Sequence, residues 1–146
     1  MRRKRVWRYY CDFCKKSNCS ASSISQHENH CTLNPNRKCR MCERAGLAQQ
    51  PISELISLLS SCEMVEVSYF DGECECKHFE IKGDIKKAIQ DLESETEGCP
   101  ACTLAAIRQS GILVPLTEYN FTKALEQFWA NINETERTYE HECTYL

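Results

Sequence analysis

Cysteine pairs at metal-ligand spacing, apolar stripes at helical spacing and one strong hairpin signal predict a small, zinc-stabilised α+β fold. Its expected parts are an N-terminal ββα-type zinc finger and a helix–hairpin–helix-rich body. The 146 residues suffice for one domain or two small ones with a modest core. With 42% hydrophobic and 27% charged residues, and only five Gly and four Pro, collagen-like, linker-like and wholly disordered classes are excluded. No apolar run approaches the roughly 20 residues that a membrane span needs, so no membrane role is expected. The basic N-terminus lacks a hydrophobic signal-peptide core, so secretion by that route is not expected. Twelve cysteines then read as metal ligands in preference to disulfides.

The net charge of −3 conceals two opposite halves. Residues 1–44 carry eleven Lys/Arg against three Asp/Glu, and residues 45–146 carry seven against eighteen. A basic head on an acidic body predicts an anionic partner for the head, or a self-association steered by the two signs. Charge and cysteine density both change near Gly46. The predicted organisation is therefore a basic arm over 1–8, a finger with the first half of a four-cysteine site over 9–46, and an acidic α+β body over 47–146.

Within the body each element has a local cause. Ile52, Leu55, Ile56, Leu58 and Leu59 follow Pro51 at close to helical spacing. Met64 to Phe70 alternates as a strand, Asp71-Gly72 signals a two-residue turn, and the hairpin over 64–81 returns through Glu73 to Ile81. That register pairs Tyr69 with Cys74, Val67 with Cys76 and Val65 with His78, on one apolar face. Asp84 caps a helix to about Glu95, with Ile85, Ala88, Ile89 and Leu92 on one side and Gly98 beyond its end. Cys102 to Gln109 reads as a short helix closed by Ser110-Gly111. Phe121, Leu125, Phe128, Trp129 and Ile132 form the stripe of a C-terminal helix over about 118–140.

Two constellations carry chemistry. Cys11-x2-Cys14-x12-His27-x3-Cys31 has the ligand spacing of a ββα zinc finger whose last His is replaced by Cys. The first pair belongs on a hairpin knuckle. His27 and Cys31 belong one turn apart on a helix, so four ligands can meet tetrahedrally. Tyr9 and Ile24 occupy core positions of such a finger, whereas Asn18 stands where an aromatic is usual. His30 is a competing fourth ligand, but H-x2-H is shorter than the usual spacing. His27-Glu28 begins an H-E-x-x-H pattern that Cys31 breaks, which discounts a zinc protease.

The second constellation joins Cys39-x2-Cys42 to Cys99-x2-Cys102, four thiolates that would clamp the finger's trailing segment to the body across 56 residues. Two zinc ions are thus expected. Cys99-Pro-Ala-Cys102 also has the form of a redox pair, but the acidic helical stretch before it does not supply the buried strand of a thioredoxin-like fold. Thiol oxidoreductase activity is therefore the least favoured function. Cys74, Cys76, His141 and Cys143 offer a third metal site at unusual spacings; cysteine as a small hydrophobe is preferred there. No Ser/His/Asp set, paired-carboxylate motif or phosphate-cradling loop stands out, so no catalytic residue is assigned.

The stretch from Tyr9 to Cys42 resembles small C2HC-type zinc-finger proteins of tailed bacteriophages. Cys11/Cys14, His27-Glu28-x-x-Cys31, Asn34-Pro35 and Cys39/Cys42 carry the resemblance, with Gly98 to Cys102 and Ile107 to Gly111 adding to it. It implies zinc binding, phage origin, and a place in the infected bacterial cytoplasm or the virion. It implies no settled activity.

The basic head predicts association with DNA or RNA. Arg2, Arg3, Lys4, Arg5 and Arg8 can neutralise phosphates, and Lys15, Lys16, Arg37, Lys38, Arg40 and Arg44 extend the positive surface. Trp7 and Tyr10 can stack on bases or pack the finger. At a DNA-reading finger's contact positions stand Ser20, Ser22, Ser23 and Gln26, and one finger spans only about 3 bp, so little sequence specificity is expected. The alternative is a protein-interaction or assembly part: a virion component, or a binder of a host polymerase or defence factor.

Overall fold

A chain this rich in cysteine and poor in large apolar residues near its start has to organise its first forty residues around short elements. The computed structural model describes residues 5–143, with side chains through residue 135. Tyr9–Tyr10 (β1) pairs antiparallel with Ser17–Asn18 (β2), and the Cys11 N–H donates to the Lys16 carbonyl at 2.9 Å across the intervening loop. Ser20 then caps Ala21–His30 (α1), its side chain accepting from the Ser23 N–H. Only Cys11, Ile24 and Cys31 are buried beneath these elements, with Cys14 and Leu33 beside them. So small a cluster cannot by itself offset the entropy of ordering the segment.

The larger core lies farther along. Arg40–Ala45 (α2) starts on Cys39 and ends at Gly46; Ile52–Leu58 (α3) follows Pro51 and buries Leu55. Asp84 caps Ile85–Glu95 (α4) by accepting from the Lys87 N–H at 3.0 Å, and Ala88, Ile89 and Leu92 form its buried side, as the apolar spacing predicts. Pro100–Ser110 (α5) is the central helix, packed against α3, α4 and Phe121–Cys143 (α6). Ala105 and Ala106 are fully enclosed, and residues this small let neighbouring helices approach closely. Tyr119 ties the lead into α6 to α5 by donating to the Pro100 carbonyl at 3.1 Å. The final helix starts at residue 121, not 118, and buries Phe128 against the core.

The hairpin Glu63–Phe70 (β3) and Glu75–Lys82 (β4) departs from the expected register by two residues. Tyr69 pairs with Cys76, Val67 with His78 and Val65 with Glu80. A two-residue type I′ turn needs positive φ at both central residues, yet Gly72 adopts it (φ 70°) and Asp71 does not. Residues 71–74 form the loop instead, closed by the Asp71 N–H on the Cys74 carbonyl at 3.1 Å. The slip matches Met64 with Ile81, the two apolar residues that anchor the hairpin base on the core. An even-numbered slip keeps each side chain on its face, but that face is not a buried apolar one: Cys74 and Tyr69 are exposed and Cys76 is half-buried. On the other face Glu66 and Lys77 meet diagonally at 3.6 Å.

Among the described residues, six helices and two small antiparallel sheets thus make up a small mixed α/β chain. Within the same span no helix is long and apolar enough to cross a membrane.

Candidate metal centres

Both C-x2-C pairs of the second constellation are built the same way. Cys39 and Cys99 are helix N-caps, and Cys42 and Cys102 lie in the first turns that follow. This brings each pair's sulfurs to one helix end, where backbone N–H groups and the helix dipole favour thiolate. The Cys42 N–H donates to the Cys39 sulfur at 3.5 Å. Pro100 at the first helical position leaves no backbone donor unsatisfied there. Packing of α2 on the body brings the two helix ends together: Cys39 and Cys99 sulfurs are 3.6 Å apart, Cys42 and Cys102 sulfurs 3.5 Å. All four sulfurs lie within 4.8 Å of one another and all four residues are buried.

A disulfide would need about 2.05 Å between sulfurs, whereas tetrahedral bonds of about 2.3 Å place them about 3.8 Å apart. The observed separations fit ligands around one ion.

The first constellation closes in the same manner. Cys11, Cys14, His27 and Cys31 offer ligand atoms within 4.8 Å of one another, with Cys14 Sγ 3.2 Å from His27 Nε2. The β1–β2 loop carries the first two ligands; α1 carries His27 and delivers Cys31 at its end. The Lys16 N–H points at the Cys14 sulfur at 3.4 Å. Glu28 reaches back from α1 to accept from the Asp12 N–H at 2.9 Å, fixing the knuckle on the helix. His30 is not part of the cluster; its Nδ1 lies 2.8 Å from the Lys38 carbonyl.

Burial and mutual hydrogen bonding shift the ligands of both groups. Burial, with Lys16 nearby, lowers the His27 pKa and favours the neutral imidazole that a metal ligand must be. Burial alone would raise Cys14, but hydrogen bonds from the Lys16 N–H and the neighbouring thiols outweigh it and its pKa falls. In the four-cysteine group, hydrogen bonds from Cys102 and Cys99 hold Cys39 far below the ordinary thiol range. Burial and the neighbouring Cys99 push Cys42 up to about 12, and hydrogen bonding to Cys39 and Cys99 raises Cys102. One thiolate forms readily and opposes the next, as expected of a site whose full ionisation needs a divalent ion.

Sequence reasoning missed what surrounds these ligands. Arg37, expected on the positive surface, is 6% exposed, and its Nη1 donates to Cys102 Sγ at 3.5 Å. Its placement follows from the turn: the Arg37 N–H donates to the Asn34 carbonyl, and Gln49 holds the next step by donating to the Arg37 carbonyl and accepting from the Cys39 N–H. Buried Asn34 donates to the Glu28 carbonyl at 2.7 Å. Arg108 donates to Thr32 Oγ1 at 2.7 Å, and Gln109 donates to the Thr32 and Asn34 carbonyls, fastening the segment between the two groups to α5. Nothing in ligand spacing announces these roles.

The other predicted contacts divide clearly. Arg5, Arg8, Lys15, Lys16, Lys38, Arg40 and Arg44 are exposed, and the Arg44 guanidinium lies over the Trp129 ring at 5.8 Å. Arg2, Arg3 and Lys4 lie outside the described residues. Of the third proposed site, Cys74 and Cys76 have sulfurs 3.7 Å apart on the exposed hairpin, while the side chains of His141 and Cys143 lie outside the description.

Compared with known protein families, curated proteins and solved structures, the chain matches none.

Proposed function

We propose that this is a zinc-binding, non-enzymatic protein that associates with nucleic acid through its basic N-terminal head, with little sequence specificity. The observation that carries the metal assignment is the closure of two four-ligand groups, one of three cysteines with a histidine and one of four cysteines from two pairs distant in sequence. Four-ligand sets of sulfur, one of them with a nitrogen, suit zinc in a structural role, with no ligand position left open for substrate. The first group, with β1, β2 and α1, is read as a ββα-type finger, and the second as the clamp between head and body. The resemblance to phage finger proteins supports the same reading and suggests an infected bacterial cell or a virion as its setting.

Nucleic-acid association rests on the exposed Arg5, Arg8, Lys15, Lys16, Lys38 and Arg40. Elemental analysis should find two zinc ions per chain. Binding to duplex DNA should fall steeply with salt, with a log–log slope of about −0.9 per phosphate neutralised. Scrambling the sequence should change little. Deleting residues 1–5 should flatten the slope; salt-insensitive, sequence-selective binding would refute the proposal.

A protein partner is the second reading, and one observation favours it. Phe70 and Phe79 are exposed on one face of the acidic β3–β4 hairpin and Tyr69 on the other, apolar side chains on an element that, among the described residues, has no third strand. A partner retained through nuclease treatment, and lost with Phe70→Asp, would establish that reading.

A further inference from the structure

The charged and aromatic groups of the head are concentrated away from the element that reads duplex DNA in a finger. Helix α1 contains no Lys or Arg. At its start the Ser20 hydroxyl caps the Ser23 N–H and lies 3.0 Å from the Ser22 hydroxyl. The arm and hairpin hold the cations Arg5, Arg8, Lys15 and Lys16, all exposed.

Aromatic rings stand among those cations. Trp7 is 86% exposed and Tyr10 64%, with Phe13 also exposed on the knuckle. None is used by the core beneath, which consists of Cys11, Ile24 and Cys31 with Cys14 and Leu33. Tyr10 pairs with Ser17, and the Arg8 guanidinium donates to the Ser17 hydroxyl at 3.3 Å. Arg8, just before β1, and Tyr10 thus both meet Ser17, a cation beside an uncommitted ring. The Cys14 sulfur, accepting from the Lys16 N–H, fixes the Lys15-Lys16 backbone next to them.

Rings have nothing to stack on in a duplex, whose base faces are already covered. A single strand offers both a phosphate chain and open base faces. We infer that the ligand of this head is single-stranded nucleic acid, its phosphates held by Arg5, Arg8, Lys15 and Lys16 and its bases stacked on Trp7 and Tyr10. This rests on the nucleic-acid reading above and narrows it.

The test uses the full zinc-loaded chain and fluorescence anisotropy with a mixed-sequence oligonucleotide of about 12 nucleotides, as DNA and as RNA, beside its duplex. Single strands should bind more tightly than the duplex. Trp7→Ala and Tyr10→Ala should each weaken single-strand binding by about 5- to 150-fold while duplex binding and zinc content hold. Trp7→Phe should retain most of the affinity. Trp7 is also one of only two tryptophans. In a Trp129→Phe background its fluorescence should therefore be quenched by the single strand and not by the duplex, a readout that needs no change in the head.

Equal affinity for single strand and duplex, unaffected by either alanine, would overturn the stacking inference and leave the broader reading standing. So would unquenched Trp7 at saturating single strand. No binding to any oligonucleotide would overturn both.

Discussion

Arg37 shows how one residue can serve two segments. A zinc ion with four thiolates carries a net charge of −2, and burying that charge is costly unless cations or donors face it. The guanidinium supplies both to Cys102, while its backbone is held by Asn34 and Gln49. Burial works against its charge, but the hydrogen bond to Cys102 more than compensates, so the arginine stays protonated. Arg37→Met should lower zinc affinity of the four-cysteine site by about 10- to 100-fold. Competition with a chromophoric chelator should read this as earlier loss of one of two ions, and Arg37→Lys should recover part of the loss. An unchanged titration would make Arg37 a packing residue only. Gly83 is the other telling position. It has φ 109°, and a Cβ there would meet the Ser61 carbonyl oxygen at 2.5 Å, backbone that cannot swing aside. Gly83→Ala should destabilise the chain by about 2 kcal/mol or more in denaturant unfolding.

The elements divide into those whose cause is local and those set by distant packing. Helices α3 and α4 were legible because Pro51 and Asp84 mark starts and their apolar spacing marks a face, whereas α5 begins at Pro100, two residues before the expected Cys102. The knuckle-and-helix arrangement of Cys11, Cys14, His27 and Cys31 was legible for the same reason: its geometry is fixed within about twenty residues. The β3–β4 register was not, because Asp-Gly favours one turn while the match of Met64 with Ile81 on the core selects another. Arg37 was misread because its neighbours in sequence are surface cations, and only the turn at Asn34 aims it inward. The two groups of ligands also belong to different elements, which separates their effects. Cys14→Ser should remove one zinc and disorder residues 9–31, leaving the α3–α6 core folded. Cys102→Ser should remove the other and lower the melting temperature of the whole chain. Zinc content with near-UV circular dichroism distinguishes the two patterns; identical losses from both would deny the separation.

At the scale of the molecule, the four-cysteine group does what the small N-terminal cluster cannot do alone: it joins residues 39–42 to 99–102 and so pins the basic head to the acidic body. Arg108 and Gln109 make a second seam to Thr32 and Asn34. Removing metal should therefore do more than unfold the head. Chelation should lower nucleic-acid affinity, since the loop presenting Lys15 and Lys16 is held by Cys11 and Cys14, and it should loosen the body as well. Anisotropy and thermal melting recorded through one chelator titration should show two steps that zinc reverses. A body whose melting ignores chelator would place the clamp's contribution at nil.

The proposed function places two zinc ions on seven cysteines and one histidine. X-ray absorption at the zinc edge of the purified chain tests it most directly, because it reads the atoms bound to the ion. The expected shell, averaged over the two sites, is three and a half sulfurs and half a nitrogen per zinc, with zinc–sulfur distances of about 2.3 Å. A shell dominated by nitrogen or oxygen, or two or fewer sulfurs per zinc, would contradict it.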